Sequence, residues 1–350
     1  MIFIQRPVKS LRFLTGFFIC VVLVVGCGEQ TTSSVSFTGE TMGTSYHITV
    51  VKDVYAKEVI TLQDEIDSLL EDVNETFSTY SETSEVSLFN KDTGLNVRPQ
   101  SVDFITVLKE ALYISEVTQG AYDITVGPLV NLWGFGPDFN KDSVPTDSEI
   151  EEVWLKTGYR QLSVSTEAQG VKKLTADIHV DFSSIAKGFG VDKVADLLDL
   201  QGFENYMVEI GGEMRVRGFN SEGIKWRIAV EKPDSSKRAI HKVINVTDIA
   251  MATSGDYRNY FEKDGVRFSH TINPATGKPV QHNLASVTVL AKKSMTADAW
   301  ATAFMVLGDK KGYDLAIENN VAVLFLVKEG DSLRELMTPT FQRVIGDDAS

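Results

Sequence analysis

Two glycines interrupt the opening turns of a helix in the stretch Asp181-Phe-Ser-Ser-Ile-Ala-Lys187-Gly-Phe-Gly-Val-Asp192, and no other feature constrains the fold of this chain as tightly. Upstream, Leu174, Ala176, Ile178, Val180 and Phe182 alternate with Thr175, Asp177, His179 and Asp181, a period of two that predicts a half-buried strand over Leu174–Phe182. Ser183 or Ser184 is placed to cap the helix that follows, and Ile185, Phe189, Val191, Val194, Leu197 and Leu198 form its apolar stripe. Gly188 and Gly190 each cost that helix about 1 kcal/mol against alanine. Two readings account for them. Lys187 stands where the macrodipole disfavours a cation, so an anion such as a phosphate would suit both the charge and the exposed N–H groups. Alternatively the helix needs small residues to pack closely on its strand, with Lys187 solvated.

The N-terminus carries Arg6, Lys9 and Arg12, then thirteen uncharged, mostly apolar residues from Phe13 to Val25, then Gly26-Cys27. Thirteen falls short of the roughly 20 residues of a spanning helix, so residues 1–26 read as a signal peptide. Leu23-Val-Val-Gly-Cys27 resembles a bacterial lipobox, which makes Cys27 the expected lipidation site. The expected organisation is a signal over 1–26, a lipidated tether over 27–36, one domain over 37–345 and a tail over 346–350. The only other cysteine is Cys20, inside the apolar run, so the mature domain has no thiol for a disulfide, a metal or a nucleophile. The formal charge of −14 becomes about −17 once the three cations of the signal are removed, which argues against nucleic acid as a partner. An acidic protein that binds an anion needs placed Lys or Arg residues, or a divalent metal.

Leu62, Ile66, Leu69, Leu70, Val73 and Phe77 give an amphipathic helix, and Val102–Val117 gives a second that ends at Gly120. Further strands are expected at Ser45–Val51, Tyr206–Ile210, Glu213–Arg217, Lys225–Val230, Lys242–Val246, Arg267–Ile272, Ala285–Leu290 and Val321–Val327. Their irregular alternation with helices predicts an α+β fold with mixed or antiparallel sheets and packed helices, not a Rossmann fold, and no G-x-G-x-x-G or Walker sequence is present.

Ser294 to Gly308 reads as a helix with Thr296 as cap and Gly308 as stop. Asp298 and Thr302, four residues apart, aim a carboxylate and a hydroxyl at one point, where hard oxygen ligands could hold Mg²⁺. A plain N-terminal acid beside a tolerated threonine explains the same pair. Gly120 to Pro137 is aromatic and glycine-rich, the composition of a wall around a planar ligand or of a packed loop. Ile210-Gly-Gly-Glu213 reads as a tight turn between strands, open equally to a purely structural role and to contact with ligand. Of the five histidines, His47, His179, His241 and His282 have structural or surface contexts, whereas His270 falls at a strand end before the proline- and glycine-rich turn Asn273 to Pro279.

These stretches together resemble the ApbE family of FAD:protein FMN transferases, periplasmic lipoproteins. The likeness runs in order through Thr41-Met-Gly-Thr44, Tyr80 with Ser84 to Asn90, Gly120-Ala-Tyr-Asp123, Asp181 to Asp192, Ile210-Gly-Gly-Glu213, Ser269-His270, and Thr296-Ala-Asp298 to Thr302. The resemblance implies an ApbE-like, T-fold-related architecture. It implies that Met42, Tyr80, Ala121, Tyr122, Asp123, Asp181, Lys187 and Ile272 contact FAD, and that Asp298, Thr302 and the carbonyl of Ser184 bind Mg²⁺. The family usually carries an aspartate where Asn273 stands here.

The implied reaction is Mg²⁺-dependent transfer of FMN from FAD to a threonine hydroxyl of an acceptor flavoprotein, with release of AMP. His270, whose ordinary pKa lies near 6.5, is the candidate to receive the threonine proton. The implied acceptors are subunits of membrane redox complexes of the sodium-pumping NADH:quinone or Rnf type, met by a lipid-anchored enzyme facing the periplasm. Two other outcomes stay open on sequence alone: a periplasmic FAD pyrophosphatase, with water in place of threonine, and a non-catalytic flavin-binding lipoprotein.

Overall fold

In the computed structural model the described residues are 33–52, 56–136, 144–233, 239–256, 260–263, 265–330 and 332–346. The expected signal peptide, Cys27 and all but the end of the expected tether lie outside them. The frame is one eight-stranded sheet of β1 (Ser34–Thr41), β2 (Thr44–Val51), β3 (Tyr206–Ile210), β4 (Glu213–Arg217), β5 (Ile249–Gly255), β6 (Leu284–Ala291), β7 (Ala322–Glu329) and β8 (Ser332–Met337). Every neighbouring pair is antiparallel and the spatial order equals the chain order. The sheet is therefore a meander with helices and smaller hairpins inserted between its strands, an α+β architecture. β1 begins at Ser34, in register opposite Val51, so the last three residues of the expected tether belong to the sheet.

Eight helices are described: α1 (Ala56–Phe77), α2 (Glu85–Lys91), α3 (Val102–Val117), α4 (Gly127–Leu132), α5 (Asp147–Trp154), α6 (Ala186–Leu200), α7 (Ser294–Glu318) and α8 (Pro339–Ile345). α1 buries the predicted stripe of Leu62, Ile66, Leu70, Val73 and Phe77, which packs with α6 on the β1–β3 end of the sheet. α3 and α7 cover the same face farther along. The opposite face is closed by α8 and by the hairpin Trp226–Glu231 with Ile240–Val246. β7 reads as a continuous apolar run for this reason. Val323, Phe325 and Val327 enter the helical core while Ala322, Leu324 and Leu326 enter the core on the other side.

Leu174–Phe182 is not a strand. Ile178, Val180 and Phe182 are buried and His179 exposed, so the period of two holds from Ile178 onward, but Leu174 is exposed, and among the described residues no strand pairs with the segment. Its backbone groups are satisfied otherwise: the Asn90 side chain bonds both Val180 N–H (2.8 Å) and Val180 C=O (2.9 Å), and Asp181 N–H donates to Ile124 C=O (2.7 Å). Alternation reports burial on one side, and a buried extended segment needs only partners for its amides, not a ladder. The expected strand Arg267–Ile272 is divided into Val266–Ser269 and Ile272–Asn273, each with its own hairpin partner, and His270 sits in the break.

Candidate active site

α6 and α7 meet at their N-termini. Gly188 is what allows it: a Cβ there would lie 2.5 Å from Ser294 C=O oxygen and 2.7 Å from Met295 Cα, both rigid backbone. The small residue serves close packing, as one sequence reading held, but against a helix and not against the preceding strand. Gly190 has a softer reason, since a Cβ there would meet the end of the Met42 side chain at 2.6 Å.

Neither helix caps itself. Ile185 holds the N-cap position of α6 and Lys293 that of α7, and neither side chain bonds its own helix. The expected caps serve elsewhere: Ser184 Oγ donates to Tyr122 Oη (3.0 Å), and Thr296 Oγ1 donates to Glu110 (2.6 Å). The helices cap each other instead. Asp192 of α6 accepts the N–H groups of Ser294 (2.9 Å) and Met295 (3.0 Å) of α7. Asp298 of α7 accepts the N–H of Gly188 (3.1 Å) of α6.

That last bond has a chemical consequence. In a regular helix Gly188 N–H would bond Ser184 C=O, four residues back. Its diversion to Asp298 leaves the Ser184 carbonyl with no backbone donor among the described residues. A freed carbonyl, the Asp298 carboxylate and the Thr302 hydroxyl, 3.4 Å from Ser254 Oγ, line the same cleft.

The cleft has a volume of about 650 Å³, in the range of small-molecule sites. One wall is Ala121, Tyr122, Asp123, Val126, Val130 and Phe135, so the aromatic stretch does form a wall, although Trp133 is buried and stacked on Phe268. The floor is Asp181, Ser184, Lys187, Glu213, Asp298 and Thr302, and the far rim is Tyr260, His270 and Ile272. Ten of the sequence-predicted site residues are thus brought together. Met42 and Tyr80 are not among the lining. Met42 sits at φ 49° in the β1–β2 turn with its thioether on Gly190, and Tyr80 is 75 % exposed. The Met42 turn still borders the cleft, because Thr44 packs on Gly211, which lines it.

Among the described residues that line the cleft Lys187 is the only Lys or Arg, against the carboxylates of Asp123, Asp181, Glu213 and Asp298. Its Nζ lies 3.2 Å from Glu213 Oε2 and 3.8 Å from Asp298 Oδ2. Burial pushes both carboxyls up, and these two carboxylates together hold the Lys187 ammonium above its ordinary range. With both carboxyls ionised the cluster is one positive charge short. In the sequence Glu213 closes a turn that is as open to a structural role as to contact with ligand. Gly211 and Gly212 at φ 60° and 107° do form that turn between β3 and β4, and the turn delivers Glu213 to the cleft floor.

The other candidates have defined settings. Asp123 accepts from Thr125 N–H (2.8 Å), Thr125 Oγ1 (2.6 Å) and Tyr159 N–H (2.9 Å), which ties down its loop. Asp181 accepts Ser183 N–H (2.8 Å), bending the chain into α6. His270 meets Phe135 edge to face at 6.3 Å. Asn273 Oδ1 accepts Ala275 N–H (2.9 Å) and its backbone carbonyl accepts Gly277 N–H (2.9 Å), so the Asn273 amide is enough to close the turn. Among the described residues no three His, Cys, Asp or Glu side chains form a metal-binding group. The set that fits a cation here has one carboxylate, one hydroxyl and one carbonyl, all hard oxygens suited to Mg²⁺.

A sequential antiparallel sheet with an acidic cleft at two mutually capped helix N-termini defines an α+β protein with a small-molecule site, an arrangement that can hold an anionic ligand together with a cation. The chain belongs to the ApbE family, whose model matches residues 42–325. It is 48 % identical over 322 residues to the FAD:protein FMN transferase of Vibrio cholerae, covering 92 % of this chain and 96 % of the relative. It is 38 % identical to that of Escherichia coli K12, covering 91 % and 93 %. Among solved structures, the flavin transferase ApbE from Vibrio cholerae superposes with a TM-score of 0.82 at 46 % identity, covering 89 % of this chain and 99 % of that one. The apo flavinyl transferase ApbE of Pseudomonas stutzeri gives 0.82 at 38 %, covering 90 % and 98 %.

Proposed function

We propose that this protein transfers FMN from FAD to a threonine hydroxyl of an acceptor flavoprotein and releases AMP, with Mg²⁺ bound by Asp298, Thr302 and the Ser184 carbonyl. Membership of a family whose relatives carry the name FAD:protein FMN transferase supports the flavin and the transfer. The observation that carries the cation is the charge of the cleft: among its described lining residues, one ammonium against four carboxyl groups leaves a pyrophosphate without sufficient counter-charge. Bound at those oxygens, Mg²⁺ would neutralise the pyrophosphate and stabilise charge developing on the departing AMP.

The chain's own residues supply the rest. Lys187 pairs with a pyrophosphate oxygen, and the apolar wall of Val126, Val130, Phe135 and Ile272 receives a ring of the dinucleotide. Ala121, Tyr122, Asp123 and Asp181 border the nucleotide, with Met42 and Tyr80 beyond the cleft proper for the flavin end. The threonine oxygen forms a bond to the phosphorus of the FMN half as the bridging P–O bond to AMP breaks, and that electron pair leaves with AMP. A ring nitrogen of His270 takes the threonine proton. Alignment of the hydroxyl opposite the leaving group contributes much of the acceleration.

The acceptors we propose are threonine-bearing subunits of membrane redox complexes of the sodium-pumping NADH:quinone or Rnf type. The enzyme would reach them from the periplasmic side through a lipid on Cys27. Among the described residues no helix is long and apolar enough to cross a membrane.

The test is to incubate the protein with FAD, Mg²⁺ and a threonine-bearing acceptor while following acceptor mass and AMP together. Gain of one FMN per acceptor with equal AMP supports transfer. AMP without labelling identifies a pyrophosphatase, and bound FAD with neither product identifies a flavin carrier.

A further inference from the structure

We infer that Glu213 is a positioning residue that holds the Lys187 ammonium off Asp298 and so keeps that carboxylate available to a divalent cation. The inference rests on the proposed metal site. It follows from two unequal distances: Lys187 Nζ is 3.2 Å from Glu213 Oε2 but 3.8 Å from Asp298 Oδ2. Charge-assisted N–H···O bonds run at about 2.7–2.9 Å, so the ammonium stands between the two carboxylates, nearer Glu213, as an ion pair closed onto neither, and Glu213 Oε2 is buried without a hydrogen-bond donor. The bond that Asp298 Oδ2 does accept comes from Gly188 N–H, at 3.1 Å.

The scaffold fixes this arrangement. Glu213 opens β4, paired across the sheet with Ile210, and is 5 % exposed, so its carboxylate has little room to move. The Lys187 stem runs beside Gly211, where a Cβ would stand 3.4 Å from Lys187 Cδ, while its first turn of α6 is locked to α7 through Gly188. Stem and head are both directed, and only the last few tenths of an ångström decide which carboxylate the ammonium serves. With Glu213 uncharged, Asp298 becomes the sole close counter-ion, the ammonium closes on it, and a metal must displace that ion pair to bind. Partners that orient a metal ligand are typically worth about 10–100-fold in affinity.

The experiment is calorimetric titration of Mg²⁺ alone into the full chain, run above the pH of about 8 to which burial raises the Glu213 carboxyl. Four variants are compared with the parent: Glu213→Gln, Lys187→Met, the double variant and Asp298→Asn. Glu213→Gln is expected to weaken Mg²⁺ about 10–100-fold. Adding Lys187→Met to it is expected to restore the affinity of Lys187→Met alone, because the competitor is gone. Retained affinity in Glu213→Gln, or no restoration in the double variant, overturns the inference. Equal binding by the parent and Asp298→Asn overturns the metal site itself, a separate result. Thermal unfolding checks each variant, and if Glu213→Gln does not fold, Glu213→Asp gives the same shift in smaller measure.

Discussion

Asp192 accepts the backbone N–H groups of both Ser294 and Met295, 102 and 103 residues away in sequence, and so caps the helix that carries Asp298. The carboxylate is buried and also faces Arg215 at 3.4 Å. One side chain of α6 thereby sets where α7 begins and, one and two turns later, where Asp298 and Thr302 point.

Asp192→Ala should cost about 1–3 kcal/mol of stability, since two buried N–H groups lose their acceptor. Urea unfolding measures this as a lower midpoint, and FAD affinity should fall with it. Unchanged stability would mean water replaces the carboxylate at no cost.

Gly188→Ala and Gly190→Ala should separate. The first drives a methyl into the backbone of Ser294 and should cost about 1–3 kcal/mol while weakening the binding of FAD. The second meets the mobile end of Met42, and the about 1 kcal/mol gained in helix propensity offsets the displacement. Equal losses in paired denaturation curves would contradict the packing described.

Chelation with EDTA should abolish transfer, and Mg²⁺ should restore it. Asp298→Ala should lower transfer about 100-fold or more and should not be rescued by added metal. Single-turnover labelling of an acceptor measures both, and full activity in EDTA would remove the metal from the reaction.

His270→Ala should lower the rate of FMN transfer about 10²–10⁴-fold while FAD binding, followed by flavin fluorescence, stays near that of the parent. Near-normal transfer would assign the proton to another acceptor.

Much of this was legible because local patterns report local physics. Val102–Val117 is a helix at the predicted residues, with Ser101 bonding Phe104 N–H at 3.1 Å as its cap. The Gly211-Gly212 pair is the turn its composition predicts, and the break at Gly308 (φ 78°, ψ 176°) stops the helix where glycine was read as a stop, although the chain resumes as helix to Glu318. The strands β1, β5 and β8 were missed. β1 and β8 have half of their residues exposed and little buried apolar pattern, and β5 is Ile-Ala-Met-Ala-Thr-Ser-Gly, mostly small side chains that pair because strands on both sides supply their amides.

The sequence by itself determined the family, the α+β class and ten of the residues that line the cleft, because these are written as periodicities and ordered short motifs. Only the tertiary structure decided that Leu174–Phe182 is an extended segment held by Asn90, that Asp192 and Asp298 cap helices across a gap, and that the Ser184 carbonyl is left free. It also decided that Glu213 stands against Lys187. Each of these is a bond between residues far apart in the chain, and no local pattern encodes which distant acceptor will satisfy a given amide or ammonium.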